Sequence, residues 1–280
     1  MRNKLSEVER EKIVSLAQSS LLEDEEGKLA IDYLKSSRRN FDDVSIKYII
    51  DKFKVGYMPS HVLNFEGKRH EFAGRVIMPL FNQHNKLIAL SSRDWRDDAF
   101  MSFFHESFNK SNFLYGLNLA KENILEEKYA VVVEGEFDVM YLHSKGITNA
   151  VGCMGSTLQL NQMSLLMRYC RDIFIVFDGD KAGKNSTYKT REMTRLNAFE
   201  DRNKEIISVD KIKDKDIGLH LEEFYYGKMS YGLNIIPVTL GDDVDPDDYV
   251  REKGKEGFIK LLNDSRNSKN KNIKDFFKNE

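Results

Sequence analysis

Three apolar runs in this chain each end in carboxylates. "YAVVVE" finishes at Glu134, followed by Gly135 and, one helical turn on, Asp138; "DIFIVF" is followed by Asp178, Gly179 and Asp180; "LNIIPVTL" is followed by Asp242, Asp243, Asp245 and Asp247. Runs rich in β-branched and aromatic residues read as strands, and strands alternating with helical stretches of about 10 to 15 residues imply parallel crossovers. In a parallel sheet the carboxyl ends of the strands line one edge, where ligands bind. If these strands are neighbours their acids converge, and each raises the pKa of the others. A divalent cation removes that conflict. Oxygen donors without cysteine or histidine select Mg²⁺ or Mn²⁺ over zinc, and Mg²⁺ held by a few carboxylates shares its remaining positions with water and substrate phosphates. Gly135, Gly179 and Gly183 suit phosphate chemistry, because glycine lets a phosphate approach the backbone beside a helix start. A "DGD" by itself is an ordinary strand-to-helix turn. The order and strand-end placement of all three acidic groups carry the reading.

The elements that must position these acids fall into three zones. Residues 1 to about 60 carry helical spacing: "VEREKIVSLAQSSLL" places Val8, Ile13, Leu16 and Leu21 near one face, and "KLAIDYLKSS" and "DVSIKYIIDKF" repeat the pattern. Asp43 or Ser45 is the expected cap of the third helix, and "VGYMPSH", with Gly56 and Pro59, closes the zone. "GRVIMPLFNQHNKLIALSSRDW" reads as a basic β-hairpin around the polar turn "NQHNK", with Pro79 predicting an edge position or a bulge. Residues 97 to 128 are mixed, and from 129 strands and helices alternate, interrupted by a polar stretch over about 199–231. The segment after Asn263 is poor in apolar residues and reads as a mobile or helical tail.

With 280 residues and 41% apolar content the chain can bury a core in two modest domains or one large one. No run approaches the roughly 18 apolar residues of a membrane span, and the charged amphipathic start lacks the apolar stretch of a signal peptide, so a cytoplasmic protein without a membrane partner is expected. Cys153 and Cys170, both in apolar surroundings, read as buried thiols; a thiolate zinc site would need more ligands. A net charge of −2 excludes a uniformly basic coat. The distribution is uneven: Lys35 to Arg96 holds twelve Lys or Arg against six Asp or Glu, and the last thirty residues nine against five.

"VVVEGEFDVMYL", "FIVFDGDKAG" and "GDDVDPDDYVREKGKEGFIKLL" together resemble the three acidic motifs of the TOPRIM domain, in the order and form of DnaG-type bacterial and phage primases. Upstream, "AIDYLKSS" through "FKVGYMPS" resembles the helical lead-in of the primase core, "FAGRVIMPLFNQHNKLIALSSRDW" its basic hairpin, and "FNKSNFLYGL" the segment before the TOPRIM unit. The likeness covers most of residues 29 to 263. It implies an α/β chain, α+β overall: a Rossmann-like parallel TOPRIM sheet over 129–263 with an insertion at about 199–231, a smaller mixed α+β subdomain with the basic hairpin over 1–128, and a polar tail over 264–280. It implies that Glu134 binds metal or transfers a proton, with Asp138 in support, and that Asp178, Asp180, Asp245 and Asp247 hold two or more Mg²⁺ or Mn²⁺ ions. Arg75, Arg93 and Lys110 match basic positions that hold nucleotide or nucleic-acid phosphates; Lys68, Arg69 and Trp95 are weaker candidates.

The implied activity is synthesis of short RNA primers on single-stranded DNA from ribonucleoside triphosphates, with a replicative helicase and a separate zinc-ribbon protein as possible partners in a bacterial or phage-infected cell. There are departures. The cysteines of the usual zinc ribbon are missing, about thirty residues are added between the second and third acidic motifs, and "DDAFMSFFHES" replaces expected polar and basic residues. Two other readings stay open: a TOPRIM nuclease, in which water replaces the primer hydroxyl, and a catalytically silent replication component that binds nucleic acid or a helicase.

Overall fold

A computed structural model of the chain describes residues 5–37, 39–62, 64–65, 68–69, 71–94, 96, 103–180, 183 and 233–278. Trp95, the "DDAFM" stretch, residues 181–182 and 184–198 of the alternating zone, the 199–231 insertion, and the side chains of Lys68 and Arg69 lie outside the described residues. The chain divides into two compact units that exchange segments. One takes Met1–Asn109, Tyr115–Leu119 and Val139–Thr148; the other takes Lys110–Leu114, Ala120–Asp138 and Asn149–Glu280. The single division expected between 128 and 129 falls inside the second unit.

The first unit opens with α1 (Glu7–Glu23), started by a capping box: Ser6 Oγ accepts from the Glu9 N–H at 3.2 Å and the Glu9 carboxylate accepts from the Ser6 N–H at 2.7 Å. Two helices follow, α2 (Glu25–Lys35) and α3 (Asp43–Lys52). The cap of α3 is Asp42, whose carboxylate accepts from the Ser45 N–H at 2.7 Å, and not Asp43 or Ser45. Ser45 supplies the donor; among adjacent acids, the one three residues before that donor has the reach.

The short strand β1 (Gly56–Met58) pairs antiparallel with β4 (Arg75–Phe81), beyond a two-residue pair, β2 (Asn64–Phe65) and β3 (Lys68–Arg69). β5 (Leu87–Arg93) and β6 (Phe103–His105) complete a sheet in the order β1-β4-β5-β6. Pro79 therefore sits in an interior strand, opposite Leu90. The strand tolerates it because β1 reaches only Arg75–Ile77, leaving β4 without a ladder on that side at Pro79, and because the register shifts between Leu80 and Phe81. Ile13, Val14 and Ala17 of α1 pack with Met58, Phe72, Ile77 and Leu90 in one buried cluster.

In the second unit β7 (Tyr129–Val133), β8 (Ala150–Gly152), β9 (Asp172–Ile175) and β10 (Asn234–Pro237) form an all-parallel sheet in the order β10-β9-β7-β8. Helix α4 (Leu117–Glu127) leads into β7, α5 (Glu136–Ser144) joins β7 to β8, and α6 (Leu160–Leu166) precedes β9. Val131, Val132, Ile173, Phe174 and Ile236 are essentially inaccessible, as befits strands covered on both faces. The last helix, α7 (Pro246–Lys278), starts with proline at its first position and breaks at Gly254, whose φ of 70° only glycine adopts without strain. The tail expected after Asn263 continues that helix.

Candidate metal centre

Because every pairing in the second sheet is parallel, the carboxyl ends of β7, β9 and β10 share an edge, and the acids follow there. Pairing continues past the strands: Val176 N–H donates to Val132 C=O at 2.9 Å, Val238 N–H to Ile175 C=O at 2.9 Å, and Met154 N–H to Glu134 C=O at 2.9 Å. Beyond β9 the chain is stitched to the loop after β10, with Gly179 N–H on Val244 C=O at 3.0 Å and Asp243 N–H on Gly179 C=O at 3.3 Å. A Cβ on Gly179 would lie 2.3 Å from the Gly241 carbonyl oxygen, and one on Gly183 would lie 2.2 Å from that of Asp178. Both glycines thus make room for the protein's own backbone: Gly179 brings the second and third acidic motifs together, and Gly183 lets the chain turn tightly on Asp178. A Cβ on Gly135 would meet only the Asp138 carboxylate, at 3.0 Å.

Asp178 sits among charges of its own sign. Its carboxyl is pushed up from an ordinary 3.8 to about 7, first by burial, then by Asp245, Glu134, Asp180 and Asp247. Burial also raises Glu134, with Asp180 and Asp245 adding to it, while the Asp178 N–H donates to its carboxylate and opposes the shift. Asp138 is held well above its usual range by desolvation and by Asp178, Asp247 and Asp245, although its Oδ2 accepts from the Gly135 N–H at 3.1 Å. Asp245, Asp247 and Asp248 each offer an oxygen within 4.8 Å of the others. Asp248 was not anticipated from the sequence; it is simply the next residue of "DPDD". Arg251 pairs with both Asp247, at 3.3 Å, and Asp248. Asp180 has a local duty, its Oδ1 accepting from the Gly183 N–H at 2.7 Å.

The test of whether these residues suit a cation lies in Glu134. Its Oε1 is buried with no hydrogen-bond partner among the described residues. An orphaned buried carboxylate oxygen beside acids of raised pKa is costly unless a positive group completes it. An all-oxygen donor set fits a hard divalent ion.

The basic positions divide. Arg75 donates from Nε to Ser92 Oγ at 2.9 Å and lies 3.8 Å from Asp94; burial lowers its pKa, with Asp94 opposing. Arg93 is 5% exposed and stacks its guanidinium 4.5 Å above the Phe103 ring. Both brace the antiparallel sheet. Lys110 is exposed at the head of a short 3₁₀ turn, Lys110–Asn112, in the same unit as the acids. Gln162, missed in the sequence, is buried beneath that turn and bonds its carbonyls. The "Q-x-x-Q" capping pattern at Gln159 was the available signal.

A four-stranded parallel sheet with this acidic edge defines a Toprim-type domain, and residues 131–217 match the family described as Toprim-like. The DNA primase of Aquifex aeolicus (strain VF5) is 29% identical over 201 residues, which are 70% of this chain and 34% of that protein. The crystal structure of the Aquifex aeolicus primase zinc-binding and RNA polymerase domains superimposes with a TM-score of 0.67 at 24% identity, covering 93% of this chain and 62% of that one. The DnaG primase catalytic domain bound to single-stranded DNA gives 0.67 at 22%, covering 92% and 80%. The chain is a relative of the DnaG-type primases and carries the fold of their catalytic core. It spans about a third of the length of the Aquifex relative. Dependence on divalent metal is general in that family. Among the described residues no helix is long and apolar enough to cross a membrane.

Proposed function

We propose that this chain is a primase catalytic core that joins ribonucleotides into short primers on single-stranded DNA. The observation that carries the reading is the set of converging strand-end acids around a buried Glu134 oxygen that has no hydrogen-bond partner among the described residues. Asp178, Asp180, Asp245 and Asp247 would hold two or more Mg²⁺ or Mn²⁺ ions, with Glu134 completing the set or accepting the hydroxyl proton. Such ions, when bound, activate a primer 3′-hydroxyl and neutralise the charge of the incoming triphosphate. The primer 3′-oxygen then bonds to the α-phosphorus and pyrophosphate leaves. Asp138, hydrogen-bonded to the Gly135 N–H, fixes the turn that presents Glu134. Gly179 allows the backbone approach that keeps the second and third motifs in register, and Gly183 allows the tight turn back onto Asp178. Lys110, exposed, would contact a phosphate. Arg75, engaged with Ser92 and Asp94 on one face of the antiparallel sheet, would reach nucleic acid from that face, and Arg93, buried against Phe103 on the other face, would support the sheet behind it.

Single-stranded DNA is present with one related catalytic domain, and a zinc-binding domain accompanies another. By analogy this chain would take a single-stranded template and ribonucleoside triphosphates, with a zinc-ribbon protein and a helicase as partners. The test is incubation with single-stranded DNA, labelled ribonucleotides and Mg²⁺ or Mn²⁺, with and without a zinc-ribbon protein. Oligoribonucleotides made by the wild type and lost in Asp178→Asn support the reading; shortened DNA without new product replaces it with a nuclease.

A further inference from the structure

The buried amide of Gln162 joins two places that the proposed function treats separately. Its side chain is 1% exposed. Nε2 lies 2.8 Å from Phe113 C=O, 2.9 Å from Cys153 C=O and 3.1 Å from Lys110 C=O. Oε1 accepts the Gln159 N–H at 2.8 Å, closing the capping box of α6. This last bond fixes which way the amide faces, since the reversed orientation would set Oε1 against three carbonyl oxygens. Two N–H groups serving three carbonyls make a three-way junction: Lys110 and Phe113 bracket the 3₁₀ turn, and Cys153 lies in the loop after β8. The next residue in that loop, Met154, donates its N–H to the Glu134 carbonyl at 2.9 Å. A second tie reinforces the turn from the surface, with Asn161 Nδ2 donating to Asn112 Oδ1 at 2.7 Å.

We infer that Gln162 is a positioning residue, which holds the Lys110 turn at a set distance from Glu134 so that the lysine meets a phosphate of a ligand bound at the acidic edge. The inference rests on the proposed role of Lys110. A buried amide that merely filled space would need neither its opposed donor and acceptor arrangement nor a link to both the lysine turn and the Glu134 loop. The phosphate belongs either to a ribonucleoside triphosphate or to a nucleic-acid backbone, and two probes separate these sources.

Binding of GTP and of a fluorescent single-stranded DNA oligonucleotide is measured on the full chain for the wild type, Gln162→Met, Gln162→Glu, Lys110→Ala and the Gln162→Met/Lys110→Ala pair, with Mn²⁺ affinity by calorimetry. Gln162→Met is expected to weaken one probe about five- to tenfold. In the Lys110→Ala chain the same change should cost less than about twofold, because the lysine through which it acts is gone. Gln162→Glu keeps the cap acceptor but not the donors and should follow Gln162→Met. Mn²⁺ affinity should hold. A full loss retained in the Lys110→Ala chain, or an equal fall in Mn²⁺ affinity, overturns the inference. If Lys110→Ala alters neither probe, the reading of Lys110 itself fails; if it weakens one while Gln162→Met weakens neither, only the positioning role fails. Should both Gln162 variants misfold, Asn161→Ala, which removes the exposed tie, decides the matter: about a twofold loss in the same probe supports the role, and no loss overturns it.

Discussion

The two sheets handle charge in opposite ways. In the antiparallel sheet nearly every buried or half-buried charge meets its opposite or an aromatic face: Arg10 forms a two-pronged pair with Glu106 at 2.9 and 3.3 Å, Glu106 also accepts the Leu90 N–H at 2.9 Å, and Arg93 lies on Phe103. At the edge of the parallel sheet the acids crowd one another: Asp245, Glu134, Asp180 and Asp247 all push the Asp178 carboxyl upward, while Arg251 pairs with Asp247 and Asp248. Compensated charge holds a fold together; like charges gathered at a strand edge cost stability and mark where a ligand of opposite sign belongs.

The strongest way to break this contrast is Asp178→Asn. It should lower primer synthesis by about 10³-fold while raising the melting temperature of the metal-free protein, since it relieves repulsion. A variant that lost both activity and stability would mean that the acidic edge is held together like the other sheet. On the compensated side, Glu106→Ala should cost about 3 kcal/mol in urea unfolding by leaving the Arg10 guanidinium buried and unpaired, and leave Mn²⁺ affinity unchanged.

The contrast also predicts opposite pH dependences. Asp178, with its pKa near 7 when folded and 3.8 as the ordinary value, binds its proton more tightly in the native state. Its contribution to metal-free stability is therefore full below about 3.8 and is lost as pH rises through about 7. Glu26, pulled from 4.5 to about 2 mainly by hydrogen bonds from the Ser60 hydroxyl and N–H and the Tyr57 hydroxyl, contributes stability above 4.5 that is lost as pH falls through about 2. Urea midpoints from acid to neutral pH should lose the first dependence in Asp178→Asn and the second in Glu26→Gln. The smallest effect belongs to the exposed Lys86–Glu7 pair at 2.8 Å, where Lys86→Ala should change stability by less than about 0.5 kcal/mol.

The acidic edge was legible because its signal is local: each acid follows directly on an apolar run, and the parallel pattern forces those ends to one side. The three opening helices were legible for the same reason. What escaped depended on distance or on one-residue geometry. Arg10 and Glu106 stand 96 positions apart, so nothing in either neighbourhood announces the pair. The cap at Asp42 rather than Asp43 turns on which carboxylate reaches the Ser45 N–H. Pro79 announces the irregularity that follows it between Leu80 and Phe81, but the three-residue extent of β1, which leaves its other side without a ladder, cannot be read from β4. The close backbone approaches at Gly179 and Gly183 depend on carbonyls that no local pattern announces. Gln162 looked like one more polar residue on a helix, since its meaning lies in three carbonyls contributed by other segments.

The exchange of segments between the two compact units bears on how this chain can be dissected. Its path passes from one unit to the other after 109, 114, 119, 138 and 148. A cut at the apparent boundary near 128 would separate β7, with Glu134, from the Lys110–Leu114 piece that completes its own unit, and would deprive the first unit of Val139–Thr148. Neither fragment would be a finished object. A catalytic half cannot be borrowed from a relative by one splice; grafting it would mean rewriting five junctions together, so the acids and the turn bearing Lys110 should be inherited as one block.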